Sequence, residues 1–291
     1  EELWEVMRFA TLADRLSDPV RLMRTALVWS GVYTFRSSNV IKALRLELGD
    51  GFIPTANYGA YLGDRLGVGP PCDLDPIDWV NPHLPDAGSL DLPNTVDYAR
   101  RVQGGGMGSS ENEFNVALLR AAARRRGLNT QLTLASQSQY LGGVPADGLR
   151  LSAYAGLIQG VKRLSYFLYG PKYGATENFF SDDEGTLKVV REINHEIANH
   201  DEALSFGTLR RARIALVSSL SDDIWNRVHM PDNTAVGGTV SSAFYQERRA
   251  LFFALRHLGY AVDLVSERDV ADGWLTDGDY AVVFLSASHL T

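Results

Sequence analysis

Apolar positions along the chain change period several times, and each change marks an element. Leu3, Val6, Met7 and Ala10, then Leu12 and Leu16, recur at helical spacing, and Asp18-Pro19 breaks the pattern. Leu27-Val28-Trp29 suits either a strand or a buried helix. Val40, Leu44 and Leu48 resume a helical face that ends at Gly49. Two short β-rich runs follow, Phe52 to Tyr58 between glycines and Pro76 to Val80 among prolines, and residues 81–109 read as loop.

Ser110 with Glu113 three residues later fits a capping box, which predicts a helix through Phe114, Leu118, Ala121 and Ala122 to Gly127. Thr130 to Ser136 reads as a strand, Leu149 to Ile158 as a helix and Leu164 to Tyr169 as a strand. Leu187 to Leu204 reads as one long helix with Val190, Ile193 and Ile197 on one face. Strands alternating with helices imply parallel strands joined by right-handed crossovers, an α/β class.

The pattern restarts after Gly207. Arg213 to Val217 is strand-like, a polar loop follows, and Ser242 to Leu258 is helical up to Gly259. Ala261 to Val265 and Ala281 to Leu285 are further strands. Such unbroken Val/Ile/Leu runs suit strands covered on both faces of a doubly wound sheet. A domain boundary is expected near 205–212, giving residues 1–205 and 206–291.

Composition narrows the partners. The 291 residues carry 28 basic and 35 acidic side chains, a net charge of -7, with 45% hydrophobic residues. This suits a folded globular chain and argues against nucleic acid as a partner, which calls for clustered Lys and Arg. No apolar run approaches the roughly 18–20 residues that span a bilayer, so no membrane partner is expected. Cys72 is the only cysteine, which excludes an intrachain disulfide. The chain starts without Met in what reads as helix interior and stops just after a strand-like run, so a fragment cut at both ends is expected.

Chemistry in parallel βα units gathers at the C-terminal ends of strands, where loops vary while strands hold geometry. By the element reading, Asn57-Tyr58, Asp78-Trp79, Ser136 to Gln139 and, after Tyr169, Gly174 to Asn178 stand there. Amides, aromatics and isolated carboxylates around one mouth suit carbohydrate, because amides and acids bond hydroxyls while Trp and Tyr pack on the ring face. Loop polarity and core aromatics account for the same residues without a ligand.

The stretch Ser152 to Phe167 resembles the last helix and last strand of clan A glycoside hydrolases, especially family-42 β-galactosidases. Gly174-Ala175-Thr176-Glu177-Asn178-Phe179 is similar to that family's Gly-Ala-Glu-Lys-Phe-His stretch, whose Glu contacts galactosyl hydroxyls. Pro54-Thr55-Ala56-Asn57 resembles its Thr-Thr-Asn strand, and Ile77-Asp78-Trp79 the strand after it. From Arg213 onward the chain is similar to the amidotransferase-like domain that follows the barrel and builds a trimer. The resemblance implies a partial (β/α)8 TIM barrel followed by part of a doubly wound, flavodoxin/amidotransferase-like sheet. It also implies a galactoside-like carbohydrate as partner, contacts from Asn57, Asp78, Trp79 and Glu177, a homotrimer for the full-length protein, and no metal or cofactor.

Two departures bear on activity. Retaining glycosidases need two carboxyl groups about 5–5.5 Å apart. The family's acid/base Asn-Glu pair would precede Glu1, and the nucleophile's place in Ala135-Ser136-Gln137-Ser138 holds no carboxylate. Gln137, isosteric with Glu but unable to form a glycosyl ester, is the nearest stand-in. The reading is therefore a glycoside hydrolase-like protein whose fragment is inactive alone. The alternatives are a non-catalytic sugar-binding or assembly module and an amidotransferase-like protein whose nucleophilic Cys would lie beyond Thr291.

Other signals read as structural. The glycines at 104–108 lack a Gly-x-Gly-x-x-Gly fingerprint, so a barrel loop is preferred to a phosphate cradle. His195 and His200 are five apart, off shared-ligand spacing, and read as surface. His83 reads as a turn residue that could face sugar. Arg124 to Arg126 read as a solvated helix cap. Asp222, Asp223, His229 and Asp232 read as a polar loop in preference to a metal site.

Overall fold

The computed structural model describes residues 17–49, 51–58, 80–81, 88–97, 108–136, 146–167, 184–229, 243–277, 279–288 and 290. These residues form two compact units. One holds the described residues from Ile53 to Tyr58 and from Leu90 to Arg211; the other holds the first helix and the chain from Ala212 onward. The helical spacing at Leu3 to Leu16 lies outside the described residues.

Helix α1 (Pro19–Leu48) is continuous, so Leu27-Val28-Trp29 is helical. Asp18-Pro19, which the apolar spacing marks as a break, is the helix's start. The Asp18 carboxylate accepts the Arg21 N–H at 3.0 Å, and Pro19 occupies the first turn, where its missing N–H has no partner to lose. The helix ends at Gly49 with φ 78°. Among the residues whose burial is described, Leu22, Thr25, Thr34, Ser38 and Ile41 are buried, whereas Val40, Leu44 and Leu48, expected to form a helical face, are exposed. α1 packs on a later helix of the same unit, α6 (Leu220–His229). Gly88 also lies against α1: a Cβ there would come within 2.6 Å of both Lys42 N and Ser38 O, so only glycine permits this approach.

The first sheet contains β1 (Asn57–Tyr58), β2 (Asn94–Asp97), β3 (Gln131–Ala135) and β4 (Arg163–Phe167), all parallel and adjacent in chain order. Helices α2 (Gly108–Arg124) and α3 (Ala146–Ile158) connect β2 to β3 and β3 to β4, and α4 (Glu184–Ala198) follows. Parallel neighbours require such crossovers. Leu132 and Leu134 from β3 pack with Val116 of α2, Leu149 and Ala153 of α3, Val161, and Ile193 of α4, all nearly inaccessible. Each such leucine contributes roughly 1.5–3 kcal/mol of burial.

Several boundaries differ from those expected. β2 lies within the segment read as loop, because its Asn94-Thr95-Val96-Asp97 has too little apolar alternation to stand out, yet Thr95 and Asn94 are buried between strands. Val80 is helical and not strand-like, while 76–79 lie outside the described residues. Ser110 and Glu113 are not a cap, since α2 already begins at Gly108; Glu113 instead accepts from Gln159 Nε2 at 2.8 Å. Leu187 to Leu204 is two helices, α4 and α5 (Asp201–Phe206). Arg126 is no solvated cap: it donates to the Leu90 carbonyl at 2.7 Å and pairs with Asp91.

The second sheet has the order β6-β5-β7, all parallel, from β5 (Ile214–Ser218), β6 (Val262–Ser266) and β7 (Val282–Leu285). Central β5 is covered on both faces, with Ala215, Leu216 and Val217 buried. β7 is not covered as expected, since Val282, Val283 and Leu285 are all exposed. Helix α7 (Ala243–His257) packs on β5 and β6, and α8 (Glu267–Ala271) opens with a Ser266–Asp269 capping box.

Candidate functional site

Register sorts the first sheet into rows. Asn57, Asn94, Gln131 and Arg163 lie side by side, and Val96, Thr133 and Ser165 form the row two residues further on. The inner layers of parallel barrels are dominated by bulky branched residues. Here polar groups meet instead: the Thr133 hydroxyl donates to Asn94 Oδ1 at 3.1 Å and lies 2.7 Å from Ser165 Oγ, which also accepts from Gln131 Nε2 at 3.1 Å. The chain of bonds crosses β2, β3 and β4 and leaves the opposite face, Leu132 and Leu134, to the helices.

The C-terminal ends of these strands form the mouth where parallel βα units place their chemistry. At its β3–β4 corner the backbone N–H and hydroxyl of buried Ser136 both donate to the Phe167 carbonyl, at 3.0 and 3.2 Å. This holds the two strand ends together immediately before position 137. β2 ends at Asp97, level with Leu134, whereas the sequence pattern places the second strand at 76–80. The β-branched pair Thr95-Val96 was the sequence signal of β2. A cavity of about 630 Å³ lies beside the start of α4, lined by Glu184, Gly185, Leu187, Lys188 and Arg191.

Of the sequence-derived site residues, Gln137, Asp78, Trp79 and Glu177 lie outside the described residues, as does His83. Asn57 is described, and its register partner Asn94 opens β2 just as Gln131 opens β3. That row is four residues, about 13 Å of strand, from the C-terminal end of β3 at Ala135.

The second sheet carries its own polar cluster at its C-terminal edge. Asp222 and Asp223 are not in a loop but in the first turn of α6. Arg248, 1% exposed, pairs with Asp222 at 3.3 Å, with Asp223, and with the Ser286 carbonyl at 3.0 Å. Asp222 also accepts from the N–H and hydroxyl of Ser288, at 2.6 and 2.9 Å. These carboxylates are engaged by a cation and by backbone, which is an anchoring role. Among the described residues no group of three or more His, Cys, Asp and Glu side chains could hold a metal. His195 and His200 are exposed, and His200 stands at the N-cap of α5.

Among the described residues four groups have shifted ionisation: Tyr166, Glu196, Tyr154 and Arg150. Burial pushes the Tyr166 phenol up to about 12, and its hydroxyl donates to Asn194 at 3.0 Å. Hydrogen bonds from Tyr154 and Arg150 hold the Glu196 carboxyl below its ordinary range; Arg150 also pairs with Glu192 at 2.8 Å, tying α3 to α4. Among the described residues no helix is long and apolar enough to cross a membrane.

Parallel strands in chain order with crossover helices behind them define an α/β fold. Solved structures bear this out. A polyextremophilic β-galactosidase from the Antarctic haloarchaeon Halorubrum lacusprofundi is similar, with TM-score 0.69 and 16% identity over 94% of this chain and 39% of that one. A β-galactosidase from the psychrophilic Marinomonas ef1 gives TM-score 0.59 and 16% identity over 90% of this chain and 40% of that one. A GH5_18 from Bifidobacterium longum subsp. infantis gives 0.51 and 12% over 79% and 54%. The chain thus spans about two fifths of the length of the two β-galactosidases, and at these identities the likeness is one of fold. No family model matches the sequence, and no curated protein does.

Proposed function

We propose that this chain is part of a glycoside hydrolase-like, carbohydrate-active protein of the β-galactosidase type. Its first sheet is then the second half of a (β/α)8 barrel, and its second sheet is part of an amidotransferase-like unit that builds a homotrimer in the full-length protein. The observation that carries the reading is the chain-ordered parallel sheet, β1 to β4, in a fold shared over nearly the whole chain with two β-galactosidases. In this reading Gln137 occupies the nucleophile's position, and Glu177, Trp79 and Asp78 contact a galactoside. Asn57 is the weakest member of that set, since its row lies at the start of the strands.

A second reading is a sugar-binding module without hydrolysis. It is favoured by the end of β3, where Ala135 and Ser136 supply no carboxylate and the next residue is an amide. An amide side chain can bond a hydroxyl but cannot carry the glycosyl-enzyme ester of a retaining mechanism. The test is an assay of the full-length protein and its Gln137→Glu form on nitrophenyl galactosides, with galactose titrated calorimetrically in parallel. Turnover restored by Gln137→Glu supports the hydrolase reading. Binding without turnover in either form supports the module, and neither binding nor turnover rejects both. In the proteins that bind, Glu177→Gln should weaken galactose by roughly 1–3 kcal/mol, the worth of a charge-assisted hydrogen bond.

A further inference from the structure

One passage of the chain from the first-sheet unit to the second-sheet unit falls between Arg211 and Ala212. Residues 207–211, which lead to it, form no helix or strand, and each is exposed. They run between two anchors: the Lys162 ammonium donates to the Gly207 carbonyl, and the Ala212 N–H donates to buried Asp263 at 3.2 Å. Between the anchors Leu209, about half exposed, rests over Gly160, where a Cβ would lie 2.7 Å from Leu209 Cδ1. An exposed irregular connection between compact units offers a protease backbone that can be drawn out without opening a core.

The side chains in this connection select the protease. Arg210 and Arg211 stand side by side within it. Among the described residues every other exposed lysine or arginine lies in a helix or in β4, or is held in place. Arg126 donates to the Leu90 carbonyl and pairs with Asp91, and the Arg213 carbonyl accepts from the Ala281 and Val282 N–H groups at 2.8 and 3.3 Å. We infer that the Arg210–Arg211 peptide bond is a cleavage site for an endoprotease whose specificity pocket takes a basic side chain. The C–N bond breaks, and one water supplies the hydroxyl of the new Arg210 carboxyl group and the proton of the new Arg211 amine. The fold sets the consequence of the cut. α1 precedes it and α6 follows it, yet the two helices pack within one unit, with Leu22 of α1 fully buried. The two pieces therefore remain one particle after hydrolysis, joined by packing and no longer by chain. This site is independent of any sugar binding.

Brief digestion of the intact chain with trypsin tests this, with fragments identified by mass spectrometry and the native particle followed by size-exclusion chromatography. The expected result is a fragment that begins at Arg211 and co-elutes with the piece that precedes it. Arg210→Gln should slow formation of that fragment at least about tenfold, because the acid in the protease's pocket then meets no cation, whereas Arg210→Lys should preserve it. Position 210 is exposed, so circular dichroism should be unchanged in both variants. Digestion that proceeds elsewhere while the Arg210–Arg211 bond stays whole overturns the site, as does an equal rate at that bond in Arg210→Gln. Separation of the two pieces on the native column overturns the role given to α1.

Discussion

Replacing Thr133 with Val tests whether the polar layer of the first sheet holds it together. The side chain is 9% exposed and nearly keeps its volume, so the change removes chemistry more than shape. It loses a donor to Asn94 Oδ1 at 3.1 Å and a shared bond with Ser165 Oγ at 2.7 Å. Two net bonds at about 0.5–1.5 kcal/mol each set a loss of about 1–3 kcal/mol. Ser165 keeps the bond from Gln131, and the added methyl group returns roughly 0.8 kcal/mol of burial, which leaves a net cost of about 0.2–2 kcal/mol. Amide hydrogen exchange resolved by mass spectrometry reads this locally: protection of peptides spanning β2 to β4 should fall about tenfold for 1.4 kcal/mol. A double-mutant cycle with Ser165→Ala isolates the pair and should give a coupling of at least about 0.5 kcal/mol. Unchanged protection in Thr133→Val, or strict additivity in the cycle, would show that the ladder is incidental to stability.

Three further outcomes follow from individual side chains. Arg248→Met leaves two carboxylates without their buried cation and should cost about 3–5 kcal/mol in denaturant unfolding of the second-sheet unit, whereas a cost under 1 kcal/mol would refute the anchoring role. Tyr166 should ionise near 12 in the folded chain; because its folded pKa is raised, its contribution to stability is complete below pH 10 and is lost as pH rises to about 12. Ultraviolet difference titration of wild type against Tyr166→Phe measures this, and a missing component near pH 10 would contradict it. Gly160→Ala must hold φ at +85° and displace Leu209, so thermal melting should register a loss of at least about 1 kcal/mol; an unchanged midpoint would mean that the turn relaxes freely.

Elements with a strong period were legible from sequence. β3, β4, β5 and β6 fall within a residue or two of their expected places, because each is rich in apolar and β-branched residues. β2 did not, since Asn94 and Thr95 are buried by pairing with β3 and not by their own hydrophobicity. The same physics hid Asp222 and Asp223: two acids before a polar stretch look solvated until Arg248, 26 residues from Asp222, is brought against them. The long helical face at Leu187 to Leu204 gave no sign of its break at Asn199 and His200, since both residues are compatible with a helical pattern.

For the candidate site the division is sharper. Chain order suggested strand ends as the mouth, and the family resemblance implied that Gln137 stands where a nucleophilic carboxylate would. Which residues share a level is a property of register, and register depends on pairing between strands more than 30 residues apart. That pairing puts Asn57 in the row of Asn94 and Gln131, makes Ser136 the clasp between β3 and β4, and ends β2 at Asp97. By itself the sequence determined an alternating parallel α/β chain, since local period and residue order suffice for that, while the glycoside hydrolase likeness came from motif resemblance. Only tertiary structure decided which polar groups are buried against one another, because desolvation and hydrogen bonding are set by neighbours in space.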